Sequence, residues 1–232
     1  MAHELRGPLT ALATSSELLA EDFAQLDPEQ VKNMLGAMHR RTLWLQGLVE
    51  NLLCAATIRE GRLHLYRQSL SMTDVLVDVQ AVVGPLLEQR GQRLHVRLLG
   101  GLPEVLADGR RLGQVLVNLI LNASKFSPPQ TSIDVTISRR ADMVRVTVAD
   151  RGPGVSSEQA QRLFEPYYRA PTTACASKDG VGLGLSIVKS IVEAHGGNVG
   201  VDSRRGGGAR FWFYIPSVGR AAPTKSHLSI VS

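Results

Sequence analysis

His3 stands in the run His3-Glu4-Leu5-Arg6-Gly7-Pro8-Leu9. A neutral imidazole is a good nucleophile at about pH 7, and a neighbouring carboxylate such as Glu4 can orient the ring or take up its proton. His3 lies off the apolar line of Leu5, Leu9 and Leu12, so its ring is expected to face solvent. Alone, a histidine beside a glutamate on a helix is an ordinary surface pair. Far downstream, Asn118, Asn122 and Lys125, followed by Phe126, are spaced to share one helix face. Neutral amide oxygens can ligate Mg2+ while phosphates complete its octahedron, and a lysine offers a point charge to phosphate oxygens. Next comes Asp150-Arg151-Gly152-Pro153-Gly154, directly after an expected strand. A carboxylate there can accept a hydrogen bond from an exocyclic amine such as adenine's, and Gly152 and Gly154 let the backbone approach a flat ring. Finally, Gly180-Val181-Gly182-Leu183-Gly184-Leu185 runs straight into a helix, whose free amides suit phosphate.

Between the last two groups, Phe164-Glu165-Pro166-Tyr167-Tyr168-Arg169 opens a stretch rich in glycine, serine and threonine up to Gly180. Such a stretch reads as a lid over a ligand, with Arg169 able to reach phosphate. The glycines lack the preceding strand and the G-x-G-x-x-G spacing of a dinucleotide fold. Neither a Walker A sequence nor a protein-kinase catalytic loop occurs.

These groups need elements to hold them. Leu5, Leu9, Leu12, Leu19 and Phe23, then Val31, Leu35, Met38, Leu45, Val49 and Leu52, form a heptad seam over two helices. Asp27-Pro28-Glu29-Gln30 supplies a helix start between them, with Asp27 as cap, Pro28 in the first turn and Gln30 completing a capping box. So narrow a hairpin leaves half its apolar stripe uncovered, which predicts a homodimer closing a four-helix bundle. The heptad breaks around Gly61. Beyond it, helices are expected over 73–89, 110–126 and 185–194. Strands are expected over 94–99, 105–107, 133–138, 144–149, 198–202 and 211–215, with a loose tail from about Pro216. The order is mixed rather than a regular βαβ alternation. It predicts an α+β chain whose second part is an α/β sandwich with helices on one sheet face.

A length of 232 residues suits one medium domain or two small ones. The charge of +5 is modest and dispersed, with Arg139, Arg140, Arg204 and Arg205 reading as solvated strand ends, so no nucleic-acid partner is expected. No apolar run is long enough to span a bilayer. Cys54 and Cys175 are far apart with no metal-ligand spacing, which fits a reducing, cytoplasmic setting. His39, His64, His95 and His195 show no metal pattern either, and His195 reads as a cation at a helix end.

Taken in order, the motifs resemble those of the histidine-kinase family from His3 to about Pro216. His3 to Leu9 resembles its phosphoacceptor box, Asn118 to Lys125 its asparagine box, and Asp150 to Gly154 its first glycine box. Phe164 to Arg169 is similar to its phenylalanine box and Gly180 to Gly184 to its second glycine box. The resemblance implies a dimerisation and phosphotransfer domain at 1–60, a linker at 61–67, a GHKL-type ATP-binding domain at 68–217 and a flexible tail at 218–232. It implies that His3 takes the γ-phosphoryl group of ATP with Glu4 as base, and that Asn122 ligates Mg2+ with Asn118 beside it. Lys125 and Arg169 would contact phosphates and Asp150 would read the adenine amine. Phe126, Gly152, Gly154, Gly180, Gly182, Gly184 and Leu185 would line the nucleotide. The phosphoryl group would pass to an aspartate on a response-regulator receiver domain.

Two features depart from the family pattern. Gly7 stands where the family usually has Thr or Asn to position a water for dephosphorylating the partner, so weak phosphatase activity is expected. A Gly7→Thr variant should then speed partner dephosphorylation, and an unchanged rate would count against the idea. Only Met1 and Ala2 precede His3, so the chain reads as an excerpt of a longer protein, the cytoplasmic portion of a sensor of the kind that a membrane can anchor. An anti-sigma-type GHKL kinase and a nucleotide-sensing scaffold are the alternatives; both would lack chemistry at His3.

Overall fold

A computed structural model describes residues 2–23, 26–170, 182–204 and 206–218. Helix α1 (Ala2–Asp22) and helix α2 (Pro28–Arg59) form the hairpin. The start of α2 is fixed as its sequence dictates. Asp27 Oδ1 accepts from the Gln30 amide at 2.8 Å, and the Gln30 side chain accepts from the Asp27 amide at 3.1 Å. Arg41 meets Ser15 across the hairpin. The seam is only partly covered within one chain: Leu12, Leu19, Met38 and Leu45 are half-buried, whereas Leu9, Phe23, Leu35, Val49 and Leu53 are exposed.

The rest of the chain builds one sheet and its helices. In order these are β1 (Gln68–Leu70), α3 (Met72–Glu88), β2 (Arg93–Leu99), β3 (Glu104–Ala107), α4 (Gly109–Phe126), β4 (Ser132–Arg140) and β5 (Met143–Ala149). Then come α5 (Ser157–Arg162), α6 (Gly184–Ala194), β6 (Asn198–Ser203) and β7 (Ala209–Val218). The strands run in the order β1-β3-β7-β5-β4-β2, with β6 also paired to β7, and among the described residues only the β2–β4 pair is parallel. Strict alternation places Ile133, Val135, Ile137, Val144, Val146 and Val148 in the core, where α3, α4 and α6 cover them. The opposite face carries Thr136, Arg145, Thr147 and Trp212 at intermediate exposure.

Three local expectations change. The chain does not loosen at Pro216: β7 continues to Val218, with Ser217 and Val218 paired to β3. Strand β1 and helix α5 were not foreseen. The first is too short and polar to show periodicity; the second starts at a capping box, Ser156 with Gln159, that is plain in the sequence. Residues 219–232 lie outside the described residues.

Candidate functional site

Helix α4 is capped by Asp108, whose Oδ1 accepts from the Arg111 amide at 3.1 Å. Its apolar positions Leu112, Val115, Leu116, Leu119, Ile120 and Ala123 are buried, which turns Asn118, Asn122, Lys125 and Phe126 toward a partly exposed side. Lys125 Nζ lies 5.5 Å from the centre of the Phe126 ring. Asn118 faces the start of α6: a methyl group added to Gly184 would come 3.5 Å from its Oδ1. Its Nδ2 is buried with no hydrogen-bond partner among the described residues. Among the described residues no side chain caps the start of α6, which leaves its first amides beside the asparagine face. Leu185 packs against the core from this first turn.

Asp150 directly follows β5 and is 3% exposed. Its Oδ1 accepts from two amides, Gly152 at 2.8 Å and Ala209 at 2.9 Å, and its Oδ2 accepts none among the described residues. Burial pushes the carboxyl above its usual 3.8; the two amides and the charges of Arg204 and Arg151 pull the other way without cancelling it. The turn is closely packed. A Cβ on Gly152 would lie 2.9 Å from the Phe126 carbonyl oxygen, and one on Gly208, at φ +95, would lie 2.2 Å from the Asp150 carbonyl oxygen. Gly208→Ala should therefore cost at least about 2 kcal/mol and disturb the Asp150 carboxylate. Thermal unfolding with nucleotide titration checks this, and wild-type values for both would refute it.

The segment before the expected lid is anchored at both ends. Phe164 meets Phe211 edge-on at 6.5 Å, and Arg162 lies over the Tyr168 ring at 4.4 Å. Tyr167, at φ 65, donates its amide to the Gly182 carbonyl at 3.0 Å. Gly182 is at φ +74 and so close that a Cβ would stand 2.9 Å from the Tyr167 backbone. Arg169 is exposed. Gly180 and most of the lid, 171–181, lie outside the described residues.

His3 and Glu4 belong to α1, but their side chains lie outside the described residues. Running outward from the Ser15–Arg41 contact at equal rise on both helices brings the backbone at His3 level with Leu53. That end of α2 is docked on the sheet domain. Asn51 accepts from Gln114 at 3.5 Å, Cys54 is buried against Arg111, and Arg59 reaches Tyr167. The structure thus gathers Asn118, Asn122, Lys125, Phe126, Asp150, Gly152, Gly182 and Gly184 around α4 and the start of α6. Counted by helical rise from the Ser15–Arg41 contact, the backbone of His3 falls near the height at which that domain touches the hairpin.

Residues that motif reading passed over also matter here. Arg204 is not a solvated strand end: its Nη1 donates to the Asp150 carbonyl at 3.2 Å, and its Nη2 lies 3.8 Å from Asp134, which also holds Arg151 at 2.7 Å. Only a long-range contact reveals this, although the run Gly206-Gly207-Gly208 beside it is visible in the sequence. His195 is not a helix-end cation. It is 3% exposed, its Nε2 accepts from the Asp108 amide at 3.0 Å, and its Nδ1 lies 2.8 Å from the Ile191 carbonyl. These partners fit a neutral ring with the proton on Nδ1. Burial lowers its pKa from the usual 6.5, nearby Arg67 adds to that, and the Ile191 carbonyl and Asp108 oppose it. The folded state thus resists a proton that the unfolded chain accepts. Stability is full above about pH 6.5 and falls as pH drops through the window beneath. His195→Gln should flatten that acid limb of the melting temperature, and an unchanged slope would sink the assignment.

Comparison with known proteins supplies the family. Residues 1–61 match the model of the His Kinase A (phospho-acceptor) domain, and residues 107–219 that of the histidine kinase-, DNA gyrase B- and HSP90-like ATPase. The adaptive-response sensory kinase SasA of Synechococcus sp. (strain CC9311) is 36% identical over 217 residues, 93% of this chain and 55% of that one. The crystal structure of full-length ShkA in complex with AMPPNP superposes with a TM-score of 0.69 at 32% identity, over 96% of this chain and 46% of that one. The structure of the histidine kinase ThkA in complex with the response regulator protein TrrA does so with a TM-score of 0.64 at 25% identity, over 94% and 60%. The chain spans from about a quarter to a little over half of the length of the curated relatives it matches. With a phospho-acceptor region followed by a GHKL-type ATPase region on the matching fold, the chain belongs to the sensor histidine kinases.

Proposed function

We propose that this chain is the catalytic core of a protein-histidine kinase that phosphorylates His3 from ATP and passes the group to a response-regulator aspartate. The observation that carries the reading is Asp150. Two backbone amides occupy one carboxylate oxygen, and the other, without a partner among the described residues, would accept from a donor such as the adenine amine. Phe126, Gly152 and Gly154 would frame the base, while Lys125, Arg169 and the amides running from Gly180 to Leu185 would meet the phosphates. A nitrogen of His3 attacks the γ-phosphorus, the bond to the bridging oxygen breaks, and ADP leaves with the electron pair. The proton on the other ring nitrogen goes to Glu4. The nitrogen–phosphorus bond is later broken by attack of a carboxylate oxygen on the receiver domain.

The donor set fits magnesium arriving with the nucleotide. No cluster of three His, Cys, Asp or Glu that could cage a metal occurs among the described residues, whereas Asn122 offers a partly exposed neutral amide oxygen on the α4 face. Asn122 would hold the ion, with Asn118 beside it, and the ion would neutralise charge on the β- and γ-phosphates. We assign residues 1–60 to dimerisation and phosphotransfer, 61–67 to a linker, 68–217 to ATP binding and 218–232 to a tail. The exposed Leu9, Phe23, Leu35, Val49 and Leu53 support a second copy packed on the hairpin. Light scattering at the mass of a single chain would count against it. No helix among the described residues is long and apolar enough to cross a membrane; we assign the segment to the cytoplasm as part of the two-component reading.

The test is incubation with γ-labelled ATP and Mg2+, followed by acid and alkali. An acid-labile, alkali-stable label supports phosphohistidine. ATP binding without any label would move the reading to a nucleotide-sensing scaffold.

A further inference from the structure

Helix α4 ends without the usual device. Its C-cap, Ser127, is extended at φ −79 and ψ 147, and Pro128 and Pro129 follow, neither with an amide hydrogen to return to the helix. The last carbonyls of such a helix need donors from elsewhere. The Ala123 carbonyl takes the Ser127 amide at 3.0 Å. The Ser124 carbonyl, and those of Ser127 and Pro128 just beyond the helix, are met by a side chain outside every motif. Gln92 Nε2 lies 3.1 Å from the Ser124 carbonyl, 3.4 Å from that of Ser127 and 3.0 Å from that of Pro128. Its Oε1 accepts from the Ser124 hydroxyl at 2.5 Å, and Arg90 Nη2 adds a bond to the Ser127 carbonyl at 3.2 Å.

Gln92 is 3% exposed. Burying an amide is unfavourable unless its hydrogen bonds are met, and here each end of it has a partner. What it holds is the turn that joins the two halves of the site. Ser127 Oγ accepts from the Arg151 amide at 3.0 Å, and the Phe126 carbonyl is the wall against which Gly152 closes. Asn122 and Lys125 lie in the same final turns of the helix. A shift there moves the phosphate-facing residues and the Asp150 turn together.

We propose that Gln92 is a positioning residue for nucleotide binding, acting by clamping the C-terminal turn of α4. The proposal rests on the reading of the α4 face and Asp150 as the ATP site. Gln92→Met keeps the volume and removes both hydrogen-bonding functions. It should lower ATP affinity at least about tenfold, the scale of losing hydrogen bonds to buried carbonyls. Ile137→Ala, a buried deletion on β4 with no atom in the clamp, gives a destabilised control and should stay within about twofold at a temperature where both variants are folded. Gln92→Met binding ATP like the unaltered chain would overturn the proposal, as would an equal loss in the control. If the unaltered chain binds no ATP, the site reading fails and amide exchange decides the clamp. Faster exchange over 124–131 and 150–152 in Gln92→Met supports it, and unchanged exchange overturns it. Should Gln92→Met not fold, Ser124→Ala removes only the hydroxyl bond. It should cost about two- to fivefold in affinity, and no change would again overturn the proposal.

Discussion

His3→Gln should reduce the phosphoryl label on the chain by about a thousandfold or more while leaving ATP affinity within about twofold. The two effects separate because His3 belongs to α1, whereas the groups proposed to hold ATP belong to α4, the Asp150 turn and the start of α6. A glutamine amide does not form the nitrogen–phosphorus bond that imidazole forms, and glutamine favours a helix at least as well as histidine, so α1 itself should be unharmed. The outcome is read by labelling followed by peptide mapping. His39 and His64 are exposed and give the alternative its concrete form. A label that survives on either one would relocate the acceptor and discard the role given to His3. Loss of ATP affinity along with the label would mean that the variant had damaged the domain contact rather than the chemistry.

The second large effect is expected from Asp150→Asn. The Gly152 and Ala209 amides would hold the Asn oxygen as they hold Oδ1, which fixes the direction of the new side chain. Its NH2 group then stands where Oδ2 stood and presents a donor to the donor of the adenine amine. Losing a hydrogen bond to a charged group costs about 1.5–3 kcal/mol, or about 10- to 150-fold in affinity, and the opposed donors place this variant at the upper end. Stability should move the other way. Burial raises the Asp150 carboxyl above its usual 3.8, so the folded chain holds its proton to higher pH than the unfolded chain does. Stability therefore declines as pH rises from about 3.8 through the raised value, and the cost of the buried charge persists at neutral pH. Asparagine removes that cost and keeps both amide bonds. At pH 7 the variant should melt no lower than the parent while ATP titration shows the loss. Tight ATP binding by a well-folded variant would remove Asp150 from the adenine site.

The sequence by itself determined most of what neighbours a few positions away govern, the short helix α5 behind its Ser156 capping box being the exception. The capping box at Asp27 and Gln30 starts α2, and the spacing of Leu112, Leu116, Leu119 and Ala123 turns Asn118 and Asn122 outward. The alternation over Val144, Val146 and Val148 makes β5 a strand with one buried face. Composition and order likewise carried the glycine turn after Asp150. Only the tertiary structure decided what depends on elements remote in the chain. His195 is a buried ring whose Nε2 accepts from the amide of Asp108, a residue remote in the chain, and these surroundings favour its neutral form. Arg204 became part of the Asp150 environment because the turn after β6 folds over the end of β5. Gly208 is demanded by a carbonyl far back in the sequence, and Gln92 is buried against the end of a helix that begins only after two further strands. Burial and hydrogen-bond partnership are properties of a pair of surfaces. Periodicity reports only one of the two, so these roles appear when the second surface is in place.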